Sequence, residues 1–235
     1  DEINYDYSRY LIRAGRFDEA LELLKERETA ARKYFKSGGS IQSLLSGFLG
    51  NNYARSLVNL SQTLQLQADV MIALGQWGNA EKLLRDAGQL TPLQNFYIPL
   101  STALLNQPNK AQEAENIIRK VQTAYAGPSS SIQKQMVDTM LANALANALI
   151  EQGRNADAEL EVKNAVARQT GEGFIGGSLF GTSIEGSSNY ILAKATRRQG
   201  RLTEAKAYAK KALIAAETAE LLQGQASSLL SFRSI

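Results

Sequence analysis

The chain has 235 residues, 44% of them hydrophobic, enough to bury a sizeable core as one or two domains or as a run of small repeats. Its 26 basic and 23 acidic side chains nearly cancel to +3, a balance that suggests neither a disordered polyelectrolyte nor a dedicated nucleic-acid binder. With no histidine and no cysteine it cannot build a zinc finger, a Ser-His-Asp triad, a Cys-His dyad or a disulfide framework. Lack of cysteine fits a reducing cytosol and equally an exported protein that needs none, so the compartment stays open. The chain starts at Asp1, and no basic, apolar and cleavable leader follows, so a processed chain or a piece of a larger protein is expected. Its most apolar helical stretch, Met140 to Ile150, is interrupted by Asn143 and Asn147 and is far shorter than the roughly 20 residues that cross a bilayer, so no membrane span is expected.

Apolar residues recur at three- and four-residue spacing, only four prolines occur, and alternating runs bounded by hairpin turns are missing, which predicts an all-α fold. In chain order, a first helical hairpin is expected near 4–37, turning at Ala14 to Phe17. A long glycine-rich connection, Ser37 to Asn52, leads to a second hairpin near 53–92, with periodic stretches Gln62 to Leu74 and Asn79 to Leu90 around Gly75. A third and more irregular hairpin lies near 94–125, where Pro108 ends the first helix and Asn109 stands at the turn. The fourth spans 131–169 around Gly153, and a second glycine-rich connection, Thr170 to Ser188, leads to the fifth at 187–217 around Gly200. A short terminal helix at 218–230 is expected to cover the last apolar face. Both glycine-rich connections carry apolar residues, Ile41, Leu44, Leu45, Phe48 and Leu49 in one and Phe174, Ile175, Leu179 and Phe180 in the other, which suggests docking over the hairpins rather than simple spacing.

The turns share one frame: Gly15-Arg-Phe-Asp-Glu-Ala20, Gly75-Gln-Trp-Gly-Asn-Ala80, Gly153-Arg-Asn-Ala-Asp-Ala158 and Gly200-Arg-Leu-Thr-Glu-Ala205. Seven residues before each glycine stands a small side chain, Ser8, Ala68, Ala146 and Ala193, and five after it an alanine. Small residues on both arms let two antiparallel helices approach to about 8 Å. Nine after the glycine come Leu24, Leu84, Val162 and Ala209, and twelve after it Arg27, Ala87, Ala165 and Ala212.

These residues resemble the tetratricopeptide repeat, a helix-turn-helix unit of about 34 residues. The second copy carries Leu64, Ala68, Met71, Gly75, Trp77, Ala80, Leu84, Ala87 and Pro92 at the family's offsets, and Ala114, Ile118 and Val121 are in phase in the third. Spacings between anchors are 60 (15 to 75), 34 (75 to 109), 44 (109 to 153) and 47 (153 to 200), so most helices must be longer than standard. Over 1–235 the resemblance implies a single solenoid domain, a right-handed superhelix of stacked hairpins that captures a protein or peptide in its concave groove. The Gly-Arg-x-x-Asp/Glu-Ala turns are also similar, more weakly, to repeat regions that precede caspase-like CHAT domains in some bacterial proteins. That alternative makes the chain a regulatory segment of a larger enzyme.

Other motifs carry little chemistry. Gly171-Glu-Gly173-Phe-Ile-Gly176 has the letters of a dinucleotide fingerprint but no strand to deliver it to a helix, and Asp157 with Glu161 reads as a solvated helix face. Asn59-Leu-Ser61 matches a glycosylation acceptor but falls inside a predicted helix. Seven basic residues, Lys194, Arg197, Arg198, Arg201, Lys206, Lys210 and Lys211, stand near a single acid, Glu204. Without interleaved aromatics beyond Tyr208, that cluster does not suggest single-stranded nucleic acid. No catalytic residue, metal or cofactor is expected within these residues. In the resembling family the inward face lies about ten, six and three residues before the turn glycine. Here the resemblance selects Asn143, Asn147 and Ile150, then Tyr190, Lys194 and Arg197, of which Asn143, Asn147, Tyr190, Lys194 and Arg197 are the expected partner-binding residues. Asparagine would grip a peptide backbone and the cations a carboxylate.

Overall fold

The computed structural model describes residues 2–36, 47–91, 96–126, 131–169 and 179–232, and among them there are ten α-helices and no strand. The chain divides into two compact units, Asp1–Gln107 and Pro108–Ile235. The first holds α1 (Glu2–Arg13), α2 (Phe17–Lys36), α3 (Gly47–Ala73), α4 (Trp77–Leu90) and α5 (Tyr97–Leu105). The second holds α6 (Ala111–Ala124), α7 (Ile132–Glu151), α8 (Asn155–Ala167), α9 (Leu179–Arg198) and α10 (Leu202–Phe232).

All four anchor glycines sit in the left-handed region, with φ of 72°, 70°, 78° and 79° at Gly15, Gly75, Gly153 and Gly200. Each ends a helix in the same way. The glycine N–H donates to the carbonyl three residues back and the next N–H to the carbonyl five residues before it, as in Gly153 to Ile150 and Arg154 to Leu149, both at 3.0 Å or less. Asn109, the anchor of the irregular copy, is the one non-glycine at positive φ among the described residues, at 61°, a conformation asparagine tolerates better than most side chains.

The small-residue frame is buried where paired arms meet, α1 with α2, α3 with α4 and α7 with α8. Ala20, Ala80, Ala114 and Ala158 are fully buried, as are Ser8, Ala68 and Ala146 on the opposing arms. In the first unit α1 pairs with α2 and α3 with α4, α2 packs on α3, and α4 on α5. Leu11, Ala20 and Val70 form one core cluster there, and Leu60, Leu64 and Ala87 another. In the second unit α7 contacts α6, α8 and α9, which explains why it is apolar nearly all round, with Leu141 to Ala146 and Ala148 to Ile150 buried. Ser131 caps its N-terminus by accepting from the Lys134 N–H.

Two expectations change. The glycine-rich stretches are shorter than their composition suggests: α3 begins at Gly47 and α9 at Leu179, so Phe48, Leu49, Leu179 and Phe180 belong to helices. Ile41, Leu44, Leu45, Phe174 and Ile175, with the Gly171 to Gly176 motif, lie outside the described residues, so nothing bears on docking by these connections. The stretch 218–230 is not a separate helix. It continues α10, a helix of 31 residues, because no proline or glycine interrupts the chain between Leu202 and Gln223.

Candidate partner-binding face

Where one hairpin meets the next, three glutamates stand six residues after their anchors: Glu81, Glu115 and Glu159. Glu115 is only 3% exposed. It accepts from Arg119 on its own helix at 2.8 Å and, from the next hairpin, from Gln152 at 2.8 Å and Arg154 at 3.0 Å. Glu159 repeats the arrangement with Lys163 at 2.6 Å, Gln199 at 3.0 Å and a close contact from Arg201. Glu81 receives Arg85 at 2.9 Å and Gln107 at 2.8 Å. Burial works against the charge of Glu115 and of Glu159, but the hydrogen bonds from their amide and cationic partners outweigh it and hold both carboxyls below the ordinary range. The turn arginines also reach the acid three residues on, Arg16 to Glu19, Arg154 to Asp157 and Arg201 to Glu204. This polar seam was missed from sequence, although its signal is there: an acid at plus six, a cation at plus ten, and a glutamine just before the next turn.

The seam stops at the last hairpin. Six residues after Gly200 stands Lys206, exposed, in place of the acid. Three of the frame positions open there as well, although Ala205 stays buried. Leu24, Leu84 and Val162 have no exposed surface, but the matching Ala209 is exposed, and Ala193 and Ala212 are half-buried where their counterparts Ala146 and Ala165 are covered. A groove of about 770 Å³ follows, lined by Tyr190, Lys194, Arg197, Leu202, Lys206 and Ala209 among others. A second, of about 460 Å³, shares Tyr190 and Ala209 and runs along the helices past Gly186, Leu213 and Ala216. Tyr190 and Leu202 are 62% and 67% exposed.

Three of the five sequence-selected residues, Tyr190, Lys194 and Arg197, therefore lie on this one groove. The asparagines are elsewhere. Asn143 is buried and shares hydrogen bonds with Ser188 of α9, 3.0 Å from Nδ2, so its amide faces α9. Asn147 is half-buried on the same helix, and Ile150 is fully buried. Lys194 and Arg198 both donate to Glu151 of α7, at 2.9 and 3.2 Å, which neutralises part of the basic cluster. Arg201 is engaged by Glu159 and Glu204, whereas Arg197, Lys206 and Lys210 project into solvent.

In the first unit the corresponding positions hold Tyr5, Arg9, Gln65 and Asp69. Arg9 and Arg27 lie over the Tyr5 ring, at 5.9 and 5.2 Å from its centroid. Desolvation pushes the Asp69 carboxyl up to about 6, opposed by the charge of Arg9. Asp157 pairs with Arg154 and Glu161 accepts from Gln122, so neither forms an acid-base pair with the other, and Ser61 is buried inside α3. Among the described residues no cluster of acids could hold a metal ion, and no helix is long and apolar enough to cross a membrane. No protein-family model matches the chain, and no curated protein is significantly similar to it.

Proposed function

We propose that this chain is a non-catalytic interaction scaffold, a tetratricopeptide-like stack of helical hairpins that binds a protein or peptide partner. One observation carries the reading. The position nine residues after the turn, which every earlier hairpin buries with Leu24, Leu84, Ile118 or Val162, is open at Ala209 in the last, and beside it an exposed tyrosine, an exposed leucine and unpaired cations line a groove of helical length. Repeat proteins bury each unit only against its neighbours, so a hairpin face that no described residue covers is surface left for association. The buried acids fit a structural role. A carboxyl that acts as a general acid near neutral pH needs a raised pKa, while Glu115 and Glu159 are held ionised by donors from two hairpins. Among the carboxyls of the described residues Asp69 is the one raised, and it sits beside Arg9 in the first unit.

The test is a photo-crosslinking residue at position 190, with one at Leu160, 59% exposed on α8, as the control. The reading expects a discrete crosslinked product from position 190 and none from 160 in the cells that make the protein. Equal, diffuse labelling at both positions would count against it.

A further inference from the structure

The last hairpin differs from the others in charge as well as in exposure, and that difference identifies what would cover it. Between the fourth and fifth hairpins, the positions that receive the neighbour are Asn143, Glu151 and Glu159, ten and two residues before Gly153 and six after it. Asn143 exchanges hydrogen bonds with Ser188, Glu151 accepts from Lys194 and Arg198, and Glu159 accepts from Gln199 and Arg201. The receiving side is rich in acceptors and the arriving side in donors. At the same three positions of the last hairpin stand Tyr190, Arg198 and Lys206, so the receiving side has changed sign.

The groove is built for a helix. On α10, Leu202, Lys206, Ala209, Leu213 and Ala216 recur at spacings of four, three, four and three, the seam of a paired helix, and all five line the two adjoining cavities. The stripe extends about 21 Å at 1.5 Å per residue, close to four helical turns. Its cations, Arg197 and Lys206, lie at the turn end, while the next stripe position after Ala216 is Glu220 at the far end. Resting on the scaffold reading, we infer that this end face takes an amphipathic helix of a partner protein, seated as one further arm of the stack, with carboxylates at the end that meets Arg197 and Lys206. A second copy of the chain seated by its first hairpin does not fit. Its first hairpin would arrive with Arg9, Arg13 and Arg16 at the positions that in the fifth hairpin carry Lys194, Arg198 and Arg201, setting cations against cations.

The experiment uses the whole chain and two fluorescent 20-residue helical peptides, each with a leucine and alanine stripe, one with three glutamates clustered at one end and the other with three lysines there. Anisotropy at low salt should show the glutamate peptide binding about tenfold more tightly than the lysine peptide, with the advantage falling as salt rises. In Arg197→Glu/Lys206→Glu the preference should reverse, and in Arg197→Gln/Lys206→Gln it should vanish. Because both residues are exposed, circular dichroism should be unchanged. Equal affinity for the two peptides, no binding of either, or a preference that survives charge reversal would overturn the inference. Concentration-dependent self-association of the chain that the charge reversal abolishes would assign the face to a second copy and overturn it too. Crosslinking at position 190 that persists in the charge-reversed variant would leave the scaffold reading standing while removing the acidic helix from it.

Discussion

Glu159 and Lys206 occupy the same place in consecutive hairpins, six residues after the turn glycine, and their surroundings are opposite. Glu159 is 8% exposed and gathers Lys163, Gln199 and Arg201, whereas Lys206 stands in solvent beside a groove. The backbone frame is the same in both, a left-handed glycine followed five residues later by a buried alanine. What differs is whether a neighbour arrives. The fold of a hairpin thus depends on its small-residue frame, and the polar residues set around that frame decide what it stacks on.

The largest test of this contrast exchanges the two residues one at a time. Glu159→Lys sets a third cation among Lys163 and Arg201 and removes the carboxylate that Gln199 donates to, and should cost about 2 to 3 kcal/mol in urea unfolding. Lys206→Glu should change stability by less than about 0.5 kcal/mol, as exposed substitutions generally do. Equal effects of the two would erase the distinction between junction and open face.

Packing gives the next largest difference. Ala80 is fully buried between helix arms, so Ala80→Leu should overfill the contact and cost about 1 to 3 kcal/mol. Ala209→Leu, on the open face, should be close to neutral and should strengthen capture of the helical peptide.

The two units should respond oppositely to acid. Asp69 has a carboxyl raised from 3.8 to about 6, so its contribution is fully present below pH 3.8 and is lost as pH rises through 6. Its burial is incomplete and Arg9 is near, which reduces the loss to roughly 1 to 3 kcal/mol, and Asp69→Asn should remove this pH dependence. Glu115 and Glu159 are lowered, so their contribution is present above the ordinary glutamate value of 4.5 and is lost as pH falls through their folded values. Unfolding followed at a reporter in each unit between pH 3 and 8 should show the first unit gaining and the second losing stability on acidification. Parallel profiles would break the comparison.

The smallest effect concerns the turns. Gly153→Ala, at φ 78°, should cost about 1 kcal/mol, and Gly153→Asn less, because Asn109 already holds that conformation.

These contrasts also mark how far the sequence could be read. The anchors were legible because the left-handed position that ends each helix accepts few residues, so four glycines and Asn109 announced the turns. The frame alanines were legible because close helix approach leaves no room for larger side chains. The extent of helix was less so. Glycine-rich composition argues for a loop, but α3 begins at Gly47 and α9 at Leu179. Of the candidate site, the grouping of side chains was legible in part. Tyr190, Lys194 and Arg197 share a helical stripe that spacing alone reveals. The fate of Asn143 depends on Ser188, 45 residues away, and that of Lys194 on Glu151, 43 away, pairings that only the stacking of hairpins creates.

The chain has no cysteine, so a single introduced thiol reports accessibility without interference. Val162→Cys and Ala209→Cys place it at the same frame position, nine residues after the turn glycine, in the fourth and fifth hairpins. With the fold intact, the thiol at 209 should react with a maleimide at nearly the rate of a free peptide and be protected by the glutamate peptide, while that at 162 should react at least about a hundredfold more slowly, through opening of the junction. Similar rates at the two positions, or a thiol at 209 as slow as that at 162, would contradict an open end face on the last hairpin.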